Sequence, residues 1–251
     1  MSEPGRPLAR RVRDLLLLGD DLVVATDSIG GIGPKPADTV YADAATVAHF
    51  ALRVPLLEVL CAGAEPIAVI DDLCVELEPL GAQMIAEIWR LSAEAGVPPE
   101  AITGSTEDNV TTVATGIGVT VLGRLNPGRR VGAGSLPGDV VVCAGLPISA
   151  PRHEVFIGHP GQVPVAGVVA ALASGLVHDA LPVGSKGLAW EVPHLAQADG
   201  LSVNWRSDHG LAVNDSAGPS SCVLFSCAPA DLDALRDLLA GAPVVVVAEL
   251  S

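Results

Sequence analysis

The chain has 251 residues, with 29 acidic against 14 basic side chains and a net charge of −15. That balance excludes nucleic acid as the main partner, since phosphate contacts need clustered Lys and Arg. Three Phe, one Tyr and three Trp are too few for a base-stacking platform. Apolar residues at 49% exclude wholesale disorder and suffice for a real core in one or two domains.

The longest N-terminal apolar run, Leu15 to Leu18, is far short of the roughly 20 residues a membrane span needs. Arg10, Arg11 and Arg13 precede it without a secretory h-region, so neither a span nor a signal is expected. Cysteines at 61, 74, 143, 222 and 227 show no paired spacing. They read as five buried small hydrophobes in a reducing cytoplasm.

In chain order, residues 22–26 predict a buried strand ending at Asp27. Ser28 to Pro36 holds Gly30, Gly31 and Gly33 with Pro34 and Pro36, a loop whose backbone can approach a ligand closely. Asp43 is placed to cap a helix over 44–62, with Gly63 as its stop and Pro55 as a kink or break. Glu58 is an isolated carboxylate on that apolar helix, costly unless paired with a cation or metal. A strand over 67–74 is interrupted by Asp71-Asp72; an amphipathic helix follows over 80–95 and a Val/Thr-rich strand over 113–125.

The stretch 126–138, with Gly128, Gly132, Gly134, Gly138 and two prolines, is the candidate boundary. It divides the chain into 1–130 and 131–251. Beyond it come strands over 139–144, 223–226 and 244–249 and helices over 163–175, 188–198 and 230–239. Both halves mix strands and helices, giving an α+β (mixed α/β) class.

No GxxxxGK[ST] loop, strand-to-helix GxGxxG, GxSxG elbow or HExxH pair occurs. His153 and His159 read as surface-loop residues. What stands out is acid: Asp27, Glu58, Asp71-Asp72 and Glu107-Asp108, the last pair in the polar loop Thr103 to Asn109. Dispersed carboxylates at the ends of core elements suit hard cations that share ligands with phosphate, and Lys35 is the complementary charge. The alternative is a solvated acidic surface, which accounts for Asp108 and Asp72 but poorly for Glu58 and Asp27.

Asp27-Ser28-Ile29-Gly30-Gly31-Ile32-Gly33-Pro34-Lys35, Val54 through Glu58 to Gly63-Ala64-Glu65-Pro66, and Asp71 resemble the ATP-binding half of the aminoimidazole ribonucleotide synthase superfamily. The GAEP-type turn at fixed distance from a helical carboxylate is the most specific part. The resemblance implies a two-domain fold: an N-terminal ATP-binding half forming a dimeric β-barrel and a C-terminal α/β half. It implies ATP and Mg²⁺ as cofactors and a homodimer. Mg²⁺ would be held by Asp27, Glu58, Asp71 and Glu107; Glu58 stands where relatives have Asp. Gly30, Gly31, Gly33 and Lys35 would face phosphates, joined by Gly104, Ser105, Thr106 and Asn109 of the second loop. Ser105 departs from the relatives' acid, so either Glu107 replaces it or that metal position is weaker.

Gly184-Ser185-Lys186-Gly187 and Gly218 to Phe225 resemble segments of thiamine-monophosphate kinase, with acids exchanged for Lys186 and Pro219-Ser220. Catalytic roles would fall to Asp71 and Lys186, with Asp72 as another possible base. The 184–187 turn either holds an anion at a helix start or is a plain helix turn. The subgroup most similar is alpha-ribazole kinase, implying phosphorylation of a nucleoside 5′-hydroxyl in salvage of the cobalamin lower ligand. Alternatives are ATP-dependent activation of an amide or carbonyl oxygen and a non-catalytic ATP-binding regulator. A nucleoside-like small molecule is the expected acceptor, with no nucleic acid, no membrane and a cytoplasmic location.

Overall fold

A computed structural model describes residues 9–251; the start of the 1–130 unit expected above lies outside them. Residues 9–125 supply one sheet: β1 Ala9–Val12, β2 Leu15–Leu18, β3 Leu22–Gly30, β4 Ala64–Leu73, β5 Ile102–Ser105 and β6 Gly116–Leu125, in the order β1-β2-β3-β6-β4-β5. Every pair is antiparallel except β4 with β5. The sheet is open, ending at β1 and β5.

Two helices serve this sheet, α1 Ala44–Cys61 and α2 Ala82–Glu94. Asp43 caps α1 as its position predicts, accepting from the Thr46 N–H at 2.8 Å. Gly63, at φ +75°, follows the end and donates to the Leu60 carbonyl. Of the kink or break expected at Pro55, the break does not occur; α1 continues through it. Packing on both flanks holds the turn that has lost one donor. By length and composition α1 could cross a membrane, but it is mostly buried inside the protein.

The second sheet holds β7 Val140–Ala144, β8 Val177–Pro182, β9 Val203–Trp205, β10 Val223–Cys227 and β11 Val244–Leu250, ordered β8-β10-β7-β11-β9 and antiparallel throughout. Helices α3 Val165–Ala173, α4 Leu188–Gln197 and α5 Leu232–Leu238 accompany it. Its central strands are buried on both faces, so alternate residues feed two cores. Val140, Val142, Val223 and Phe225 join Leu52, Leu56 and the first sheet in one cluster. Val141, Cys143 and Leu224 join α4 residues such as Leu188 and Leu195 in another. The first cluster is common to both sheets, with α1 between them.

Two arginines tie the halves. Arg13, at φ +54° in the β1–β2 turn, donates to Asp179 at 2.6 Å and to the Ala180 carbonyl at 3.0 Å. Arg53 of α1 donates to the Val163 carbonyl at 2.6 Å and to the Ser220 carbonyl at 3.0 and 3.1 Å.

Several expectations need correction. β3 continues to Gly30, so Asp27 lies within the strand instead of ending it. β6 starts at Gly116, three residues after the expected Val113, because Val113 and Thr115 bond the glycine loop. Strands β1, β2, β5, β8 and β9 were not expected at all. Cys74 is exposed, unlike the other four cysteines; all five are free thiols.

Candidate active site

Strand alternation puts Val23, Ala25, Asp27 and Ile29 of β3 on the face beneath α1. Val119 of β6 and Asp71 of β4 lie on the same face, both buried. The register pairs Asp27 with Val119, Val119 with Asp71, and Asp71 with Gly104 of β5. Two carboxylates therefore share one row across the sheet, two strand spacings or roughly 10 Å apart.

Neither carboxylate has an ion-pair partner among the described residues. Burial raises the Asp27 pKa against an opposing hydrogen bond from its neighbour Ser28. Burial, then the charge of Asp72, pushes Asp71 up to about 6. Glu58 rises to about 8, first from burial and then from Asp14 and Glu191, with Arg13 opposing and Asp27 a weaker contributor. Thus Glu58 is grouped more closely with Asp14 and Glu191 than with Asp27. Among the described residues no three His, Cys, Asp or Glu side chains converge on one point. The four-acid cage expected from the sequence is not assembled.

Gly104 is dictated by this row. A Cβ there would sit 2.0 Å from the Asp71 carbonyl oxygen and 2.1 Å from its Oδ1. Gly104→Ala is expected to lower unfolding free energy by about 1–3 kcal/mol through overpacking and to displace Asp71, as read by urea titration. Ser105 is exposed and pairs with Asp72. Beyond it, Thr106 Oγ1 donates to Asp108 at 2.7 Å, the Leu77 N–H donates to Asp108 at 3.0 Å, and the Asn109 N–H donates to Glu107 at 2.9 Å. Asp108 organises this turn, a role its exposure in a polar loop did not suggest.

The glycine loop does not offer its amides as expected. Gly31 N–H donates to the Thr115 carbonyl and Gly33 N–H to the Val40 carbonyl, both at 2.9 Å. Asp38 closes the loop by accepting from the Thr115 N–H and hydroxyl, each at 2.7 Å, and from the Lys35 N–H at 2.8 Å. The Lys35 ammonium is likewise occupied, by Glu76 and by the Thr112 carbonyl at 3.1 Å. The Lys35 hydrogen bond and Thr112 N–H hold the Glu76 carboxyl down to about 2. Glu76 and Asp38 were missed because their partners lie far along the chain.

Lys186 is exposed, with its ammonium 3.9 Å from the Trp190 ring centroid. At the start of α4 the Ala189 N–H donates to the Val213 carbonyl and the Trp190 and Glu191 N–H groups to the Gly187 carbonyl. This fits the plain helix turn among the two readings of 184–187.

The row ends in two cavities. Asp27 lines a cleft of about 630 Å³ between the halves, with Phe50 and Val54 of α1 facing His153, Phe156 and Pro219. His153 is exposed in a loop, as expected, and also lines this cleft. Asp71 lines a second cavity of about 260 Å³ with Trp89, Ser105 and Thr106.

Residues 12–125 match the family described as AIR synthase related protein, N-terminal domain. The match covers just under half of the chain. No curated protein matches the chain in sequence. Among solved structures, the thiamine-monophosphate kinase of Stenotrophomonas maltophilia K279a superposes with a TM-score of 0.64 at 16% identity, over 98% of this chain and 89% of that one. The HypE-HypF complex gives 0.66 at 16%, covering 95% and 87%. T. maritima PurL complexed with AMPPCP gives 0.62 at 17%, covering 94% of this chain but 42% of the PurL chain. At such identities the likeness shows a shared fold alone.

For an AIR synthase-type nucleotide site, the donor chemistry fits a hard cation. Asp27, half-buried, and Asp71, buried, are oxygen donors without a cation partner among the described residues. A cation held by either carboxylate would need further oxygen ligands from its substrate and from water.

Proposed function

We propose that the chain is an ATP- and Mg²⁺-dependent small-molecule kinase whose acceptor is a nucleoside-like alcohol, with the 5′-hydroxyl of alpha-ribazole as the leading candidate. The observation that carries this reading is the Asp27–Val119–Asp71 row joining two cavities. Bound Mg²⁺ would neutralise phosphate charge at Asp27 and Asp71. The larger cleft, apolar with polar groups at Ser149, His153 and Glu154, would position a ring-bearing acceptor. Positioning and charge neutralisation are what phosphoryl transfer chiefly requires. Residues 1–130 would serve the nucleotide and 131–251 the acceptor, in a cytoplasmic setting.

The test incubates the protein with ATP, Mg²⁺ and a nucleoside panel including alpha-ribazole, read by product mass. One nucleoside should gain a phosphoryl group with ADP released. ADP with free phosphate would instead indicate carbonyl activation. The engaged Gly31 and Gly33 amides and Lys35 favour a second reading, a non-catalytic ATP binder, for which calorimetry would show ATP binding without turnover.

The reading includes a homodimer that closes the first sheet into a barrel. Leu16, Val24, Leu122 and Ala68 stand in register in one row on the face away from α1, with Leu16 42% exposed. An apolar row on an uncovered sheet face favours a second copy. Sedimentation at micromolar concentration is expected to give twice the chain mass of 25.4 kDa; a single-chain mass would count against closure.

A further inference from the structure

A third cavity, of about 240 Å³, lies where α1 and α2 meet the 157–165 segment. Its walls carry His49, Arg53, Arg90, Glu94, His159 and Gln162. Arg53 is 2% exposed and donates only to backbone carbonyls, from Nε and Nη2. Its Nη1 has no hydrogen-bond partner among the described residues, and no carboxylate pairs with this cation. Such a buried charge is costly without a counter-charge.

The other charged walls supply none in contact; Glu94 favours the Arg53 charge only from a distance. Glu94 is taken by Arg90 at 2.6 Å, and Glu87 behind it binds Arg90 and His49. His159 Nδ1 accepts from the Gly161 N–H at 2.9 Å, so a neutral ring carries its proton on Nε2 and can donate. Gln162 is 6% exposed and its Nε2 donor is buried without any partner. Residues carrying two unassigned donors, Arg53 Nη1 and Gln162 Nε2, thus line one cavity.

We infer that this cavity binds a small oxyanion, a phosphate or carboxylate group, held by Arg53 and by the side-chain amide of Gln162. Its volume admits a free anion or the charged end of a small metabolite, not a nucleotide. The site is separate from the Asp27 cleft and needs no ATP chemistry. Yet the Ser220 carbonyl that Arg53 grips follows Pro219 of that cleft wall.

The test titrates the full chain with inorganic phosphate and, separately, with succinate, at ionic strength fixed by chloride. Binding is followed by thermal melting and calorimetry. Saturable stabilisation by one or both is expected, and the tighter arm identifies the anion class. Arg53→Met would also sever the link to Val163 and Ser220, so Gln162→Leu is the informative variant. Losing one donor to a charged group should weaken binding about tenfold, while Asp27→Asn should leave it unchanged. In chloride buffer without phosphate or succinate, Gln162→Leu should melt no lower than the parent protein, because its Nε2 has no protein partner to lose. Absence of saturable stabilisation in both arms, or equal affinity in Gln162→Leu, overturns the assignment. A lower melting temperature for that variant without phosphate or succinate does so too.

Discussion

Asp27→Asn is expected to reduce ATP turnover at least about 100-fold, the scale on which preorganised charge at a reacting centre acts, without lowering the melting temperature. Asp27 sits in a sheet row beneath α1 with no cation partner. Its burial raises its pKa, so the ionised form is a cost to the folded chain and the isosteric amide removes that cost. Asp27 is kept at such a cost while lining the cleft of about 630 Å³, which is what a ligand-binding carboxylate would do. Steady-state ADP release together with melting curves distinguishes the outcomes. Undiminished turnover in a folded variant would remove Asp27 from the reaction.

Glu58→Gln should produce the largest stability effect, and with a definite pH signature. The Glu58 pKa rises from 4.5 to about 8 on folding. Below the unfolded value both folded and unfolded chains hold the proton, and Gln behaves like the protonated acid. Between pH 4.5 and about 8 the unfolded chain has released its proton while the folded chain keeps it, so stability falls as pH rises. Above the folded value the loss is complete. Partial exposure of the side chain trims the effect, leaving about 2–3 kcal/mol. The variant and its parent should therefore melt together near pH 4 and separate by pH 8.5, with Glu58→Gln the more stable. Parallel curves across that range would mean Glu58 is solvated and its crowding with Asp14 and Glu191 unimportant.

What could be read from sequence follows the range of the signals. Helix α1 was legible because Asp43 and Gly63 mark its ends locally. β2 was not, since four consecutive leucines hide an alternating burial pattern. Asp27 and Asp71 were legible as acids within apolar runs. Their placement in one row was not, because it depends on both strands pairing with β6, which arrives last. Lys35 looked free for the same reason: Glu76 reaches it from 41 residues away. Arg53 drew no notice within an apolar helix, since its acceptors are carbonyls more than 100 positions on. The acids of the site were therefore visible as a composition, while the cations that fold consumes were not.

Sharing α1 between both sheets bears on how such a protein could be dissected. Severed within 126–138, the distal piece would present Val140, Val142, Val223 and Phe225 to water, all buried against the first sheet's cluster in the intact chain. The proximal piece would strand the Arg53 guanidinium without its carbonyl acceptors. Neither fragment is expected to stay monodisperse by itself, whereas the two co-expressed should reassemble by complementation, with α1 as the template on which the second sheet forms.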